Sequence, residues 1–250
     1  AAGVVLLGAF VVVEGWIARV PLVPLSIFGR GQLRIANLVV VLLYAGFFPV
    51  WFFLTIYLQQ VLHLDALTTG VAFLPMTLSI FAASSLAPRV VGRFGERRVI
   101  AAGMSAAALG MLLLTGVEPG GTYAGTVLAG AVLTSIGMGF SLVPSTIVAM
   151  QGVARSQTGL ASGLLNTSRL MGGALGLAVL STIAAAQTRS EVGVSTARAL
   201  TDGFGLAFQV SALLCLAGAA AALLLRPRTS VTAARATATA EADEPETLAA

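Results

Sequence analysis

Lysine is absent from this 250-residue chain, and cysteine and histidine occur once each, as Cys215 and His63. One cysteine excludes a disulfide within the chain. Charged residues make up only 10% of the sequence, against about 25% in an ordinary soluble domain. So few charges cannot cover a water-facing surface. A membrane-embedded enzyme would need convergent acid, base or metal groups inside its apolar runs. One histidine, one cysteine and no buried Asp/Glu pair argue against that, so no catalytic residue, metal or cofactor is expected. The chain starts inside an apolar run, "AAGVVLLGAF", without a methionine, a basic leader or a cleavage site, which reads as a piece of a longer polypeptide.

What is present is hydrophobicity, at 57% of residues. This is the composition of an integral membrane protein. All fourteen basic residues are arginine and the net charge is +4. That excess does not imply nucleic acid, because membrane proteins gather arginine in cytoplasmic loops. Runs of about twenty apolar residues mark spanning helices. They fall at 1–17 (short), 36–58, 68–88, 99–117, 122–150, 159–186 and 204–225. Alternate connections carry Arg19, Arg30 and Arg34; Arg89, Arg93, Arg97 and Arg98; Arg155; and, after Leu225, Arg226, Arg228 and Arg235. The opposite connections hold Arg189 and Arg198 with Asp65, Glu118, Glu191 and Asp202. The positive-inside rule puts the arginine-rich side and the C-terminus in the cytoplasm. The tail, 226–250, is rich in Ala, Thr and Glu, lacks apolar periodicity and is expected to be disordered.

The sixth run, "GLASGLLNTSRLMGGALGLAVL", contains Arg169. At helical spacing, Ser162, Asn166, Arg169, Gly173 and Gly176 form one stripe, opposite Leu160, Leu164, Met171, Leu175 and Ala178. Entering at Gly159, Arg169 lies roughly 15 Å deep at 1.5 Å per residue. An arginine at that depth needs protein or water around it. It either faces a central cavity, binding an anionic group or a carboxylate, or packs against carbonyls near the inner interface. Gly159, Gly163, Gly172, Gly173 and Gly176 would permit close helix contact. Glu14, near the end of the first run, reads as an interfacial partner of Arg19 rather than a proton sensor.

The connection "APRVVGRFGERRVI" is a short turn by composition, with Gly92 and Gly95 for tight conformations. It resembles the signature of the major facilitator superfamily: Arg93, Gly95, Arg97 and Arg98 match, whereas Gly92 stands at the aspartate position and Pro88 at the leading glycine. "VPLVPLSIFGRGQLRIANL" and the segment "FFLTIYLQQVLHLDALTTGVAFLPMTL" are similar to stretches of the fourteen-span drug:proton antiporters, with His63 where that family has glycine. The sixth run resembles their penultimate helix. The resemblance implies an all-α fold: the C-terminal six-helix bundle (36–225), preceded by a truncated linker helix (1–17) and a cytoplasmic connection (18–35).

It further implies half of a secondary transporter of the plasma membrane, exporting lipophilic or cationic drug-like compounds by alternating access. The proton gradient would drive export, and the N-terminal bundle would carry the coupling residues. Its partners would be the lipid bilayer, that bundle, the proton and a small substrate. Another metabolite as substrate, a membrane scaffold or an inactive fragment are the alternatives. The cavity wall would come from the second, third, fifth and sixth runs. Tyr44, Phe47, Phe48 and Trp51 offer aromatic surface for apolar or cationic molecules, while Phe73, Met76, Met138, Asn166 and Arg169 complete the candidates. Gln59 and Gln60 read as outer-interface residues.

Overall fold

The structure, a computed structural model, describes residues 31–151, 157–191 and 193–225. The expected linker helix (1–17) with Glu14, the connection as far as residue 30, Arg155 and the tail (226–250) lie outside them. Six helices are long and apolar enough to cross a membrane: α1 (Leu33–Val61), α2 (Ala66–Phe94), α3 (Glu96–Leu114), α4 (Tyr123–Met150), α5 (Thr158–Ser190) and α6 (Thr196–Ala222). No strand occurs among the described residues.

Several boundaries differ from the sequence reading. Helix is already formed at Gly31, so the expected connection ends before residue 35. Helix α2 passes through Pro88 to Phe94, and α3 starts at Glu96. The expected ten-residue arginine turn is therefore one residue, Gly95, at φ 81°, a left-handed conformation that glycine adopts without strain. Arginine does not force a helix to end: its long stem carries the charge outward while the backbone stays wound. Helix α5 extends to Ser190, and α6 begins at Thr196 rather than Phe204. There the Ser195 hydroxyl accepts from the Arg198 amide at 3.3 Å and caps two polar turns.

The last turn of α1, Tyr57–Val61, is wound as a π-helix, with Gln59 and Gln60 exposed on it. Buried Tyr57 donates its hydroxyl to the Glu118 carbonyl at 2.9 Å and ties this end to the α3–α4 connection. His63 follows at φ 55°, the position where the resembling family carries glycine. A left-handed L-residue costs roughly 1–2 kcal/mol. His63→Gly should therefore raise the melting temperature of the full-length protein in detergent; an unchanged or lower value would contradict the strain. Asp65 then caps α2, accepting from the Thr68 amide at 2.8 Å and the Thr68 hydroxyl at 3.0 Å. The amide and hydroxyl of Thr68 lower the carboxyl pKa below its ordinary value. A depressed carboxyl stabilises the fold above its unfolded pKa and loses that contribution as pH falls through the folded one. Asp65→Ala should thus lower thermal stability at neutral pH, with the gap to the natural protein closing in strong acid. A gap that persisted there would rule out the ionised cap.

The bundle is held by α3 on α4, α1 on α5, α2 on α4, and α6 against α1, α3 and α5. Phe53 of α1 packs on Phe204 and Phe208 of α6, with ring centroids 5.4 and 6.2 Å away. Small residues set the closest approaches. Along α3 and α4, Gly103 and Gly110 lie against Gly137 and Gly130, backbone to backbone. Along α1 and α5, a Cβ added at Gly172 would meet the Val41 main chain, and one at Gly176 the Ala45 main chain. Pro49, inside α1, has no amide for the carbonyl four residues back, that of Ala45. Gly176 thus sits against the one carbonyl that the proline leaves without its helical donor. Gly173 faces the Phe48 ring. Gly159 and Gly163 lie outside the contact: a Cβ at either meets nothing within 4 Å. Helices α2 and α5 are the least buried of the six. They expose Leu67 and Phe81 on α2 and Leu170 and Leu175 on α5, apolar surface that lipid or another helix bundle must cover.

Candidate substrate cavity

The aromatic residues of α1 recur at 44, 47, 48 and 51, which places them on one side of the helix. Helices α2 and α4 stand opposite, and the space between is a cavity of about 380 Å³ lined by Tyr44, Phe47, Phe48, Trp51, Ile80, Met138 and Leu142. That lies within the 300–1,000 Å³ usual for small-molecule sites. Trp51 stacks on Phe73 with ring centroids 5.0 Å apart and planes 6° from parallel, so Phe73 backs the wall rather than lining it. Phe47 leans on Trp51 at 6.2 Å and 60°. Phe48 is half exposed, its ring held against Gly173 of α5.

Arg169 sits beside this wall, half-buried. Its Nη2 donates to the Thr146 hydroxyl at 2.6 Å, and its guanidinium carbon stands 5.9 Å from the Tyr44 ring centre, within cation–π range. The Thr146 hydroxyl in turn donates to the Leu142 carbonyl at 2.9 Å. The Nε of Arg169 and the indole Nε1 of Trp51 have no hydrogen-bond partner among the described residues. Along α5, Arg169 lies about 16 Å from Thr158 in a helix about 50 Å long, nearer the arginine-rich end than the midpoint.

Two candidates stand elsewhere. Met76 is fully buried in the helix core, and Asn166 is exposed on α5; neither lines the cavity. The expected stripe of α5 is found in part. Gly173 and Gly176 are buried and Arg169 is half-buried, whereas Ser162 and Asn166 are exposed and Ala161, Leu165, Ser168 and Gly172 share the buried face. Away from the cavity, at the arginine-rich end of the helices, Arg93 in the last turn of α2 has its guanidinium carbon 5.5 Å from the Phe94 ring, and Arg97 and Arg98 stand exposed on the first turn of α3.

Among the described residues, the arrangement brings no carboxylate, histidine or cysteine to the cavity wall. It can hold an apolar ring and offer it one cation. Compared with known proteins, residues 36–248 match the Major Facilitator Superfamily. The chain belongs to that superfamily. It is 40% identical over 189 residues to the cephamycin export protein of Amycolatopsis lactamdurans, covering 75% of this chain and 39% of that protein. It is 36% identical over 239 residues to the puromycin resistance protein of Streptomyces alboniger, covering 91% and 47%. A multidrug resistance protein B homolog of Mycobacterium tuberculosis is 29% identical over 229 residues, covering 89% and 42%. The chain thus spans less than half the length of each of these relatives. Six membrane-length helices without strands fit a half-domain of a superfamily transporter.

Sequence reading missed three polar links of this half-domain. Thr146 anchors Arg169. The Ser168 hydroxyl donates to Asn37 Oδ1 at 2.8 Å, joining α5 to α1. Buried Glu96 accepts from Gln151 Nε2 at 3.0 Å, joining the start of α3 to the end of α4. Short polar stretches within or at the ends of the apolar runs, such as 145–146, 166–169 and 96–98, were the available signal. Their partners depend on how helices are rotated against each other, which no single run encodes.

Proposed function

We propose that the chain is the C-terminal half of a plasma-membrane exporter that moves lipophilic, drug-like molecules by alternating access, driven by the proton gradient. The observation that carries this reading is the aromatic cavity on α1, α2 and α4 with Arg169 at its side. Flat rings bind apolar ring systems by burial and stacking without demanding one hydrogen-bond pattern. A sugar needs several polar partners and would find this wall nearly bare of them. The relatives named for cephamycin export and puromycin resistance agree with antibiotic-like substrates. Of the two charge signs, a group that accepts hydrogen bonds gains the Arg169 guanidinium as well as the rings, whereas a cation gains the rings alone.

No carboxylate lines the cavity among the described residues. Proton coupling is therefore assigned to an N-terminal bundle of the same polypeptide, which also covers the exposed apolar surface of α2 and α5. A fourteen-span topology supplies that bundle and the linker helices. Arg34, Arg89, Arg93, Arg97 and Arg98 at one end of the helices, against Arg189 and Arg198 at the other, favour a cytoplasmic C-terminus. The α2–α3 joint at Arg93, Gly95, Arg97 and Arg98 would gate the cytoplasmic side.

The test is dye accumulation in efflux-deficient bacteria expressing the full-length polypeptide. Expression should lower accumulation of an uncharged or acidic lipophilic dye, and a proton uncoupler should restore it. Absent or uncoupler-insensitive efflux would overturn the reading.

A further inference from the structure

Helices α2 and α3 both pack on α4 but touch each other little. Between them opens a second hollow, of about 430 Å³. Val90 and Phe94 of α2 and Ala102 and Ala106 of α3 wall it, Ile136 and Phe140 of α4 form its floor, and Arg98 is its one charged lining residue. On α3, Arg98, Ala102 and Ala106 follow at four-residue steps, so the slot runs along the helix for about 12 Å from the arginine. It is an elongated apolar crevice with a cation at one end.

Its direction separates it from the transport cavity. Ile136 and Phe140 are each two residues from Met138 and Leu142, which turns them about 200° round α4 and onto its opposite side. The charged end lies where α2 meets α3, at the arginine-bearing ends of two membrane-length helices, where the proposed topology sets the headgroups. Arg89, Arg93 and Arg97 are exposed around it, and Arg93 lies over the Phe94 ring. Glu96, the acidic residue of this stretch, is buried and accepts from Gln151. The rim is therefore strongly cationic toward the membrane surface.

We propose that this crevice is a binding site for one anionic phospholipid. One acyl chain lies along Ala102 and Ala106, and the phosphate meets Arg98, with Arg93 beside it. A zwitterionic headgroup would set its own cation against the surrounding arginines; a phosphatidylglycerol headgroup brings none. Bound there, the lipid braces α2 and α3 apart on the side of α4 away from the substrate.

The test is native mass spectrometry of the purified full-length protein, titrated with phosphatidylglycerol and with phosphatidylcholine of equal chain length. The natural protein should retain phosphatidylglycerol preferentially. Arg98→Gln should weaken that retention about fivefold, the effect of one surface arginine on an anionic lipid. Ala102→Trp, which fills the slot and keeps every charge, should weaken retention of both lipids. Arg189→Gln, at the far end of α5, should change neither. Equal retention of the two lipids, insensitivity to both Arg98→Gln and Ala102→Trp, or displacement of the lipid by inorganic phosphate would overturn the site. Competition by an exported dye would assign the crevice to the transport path and overturn it equally.

Discussion

Gly176→Ala should lower the thermal stability of the full-length transporter by about 1–3 kcal/mol, the usual cost of forcing a methyl into a filled contact. Transport should fall with it. The added carbon would run into the Ala45 carbonyl oxygen and Cα, and neither can rotate away. Helix α5 must then move off α1, taking Arg169 from Tyr44 and Thr146. Because the obstacle is main chain, trimming the neighbour with Ala45→Gly should not rescue the variant. Gly163→Ala, on the same helix but facing open space, should be neutral or better, since alanine holds a helix about 1 kcal/mol more favourably than glycine. Scanning calorimetry in detergent with a transport assay decides the matter. Equal behaviour of the two variants would show that the seam is not set by Gly176.

Arg169→Ala is expected to impair transport of acceptor-bearing substrates by roughly ten- to a hundredfold in kcat/KM, the equivalent of losing one charged hydrogen bond. Membrane insertion and abundance should be preserved, because a half-buried cation is removed and no new one is stranded. Thr146→Val separates the two roles of the guanidinium. It deletes the anchor seen at 2.6 Å but keeps the charge beside Tyr44. A modest loss is expected there, expressed more in KM than in kcat. Arg169→Lys should fall between, since lysine keeps the charge without the planar fork that reaches Thr146 and the ring together. Full activity of Arg169→Ala toward an acidic substrate would reduce the residue to a packing element.

Where the sequence reading succeeded and failed follows from the range of the interactions involved. The six apolar runs are local in origin, since lipid leaves a chain no way to satisfy its amides except by coiling on itself. The aromatic wall was legible because four rings on one helix share a side whatever packs opposite. Helix ends were less legible. The third run was expected to end at residue 88 and the four arginines to form a turn, yet helix continues past Pro88 and holds all four arginines. Only at Gly95 does the backbone require a conformation that ends it. The start of the α5 stripe, at Ser162 and Asn166, was misread for a different reason. Asn166 stands in the polar run Asn-Thr-Ser-Arg and Thr146 beside Ser145, and nothing local says which one meets Arg169. Rotation of α5 against α1 decides that, through Gly172 and Gly176. The His63 substitution was visible as an oddity in sequence, and its cost became visible only with the backbone angle.

The proline in α1 has a mechanical outcome. Since the Ala45 carbonyl is already released, bending the rod at that joint breaks no backbone hydrogen bond there. The helix ladder itself therefore resists a tilt of the outer segment, with Trp51, against the inner one, with Tyr44, less than an unbroken turn would. The restraint comes instead from Phe53 on Phe204 and Phe208 and from the Tyr57 hydroxyl on the Glu118 carbonyl. The separation of the two aromatic ends of this wall is thus set by side-chain packing at that joint rather than by the main-chain ladder, because one nitrogen carries no proton.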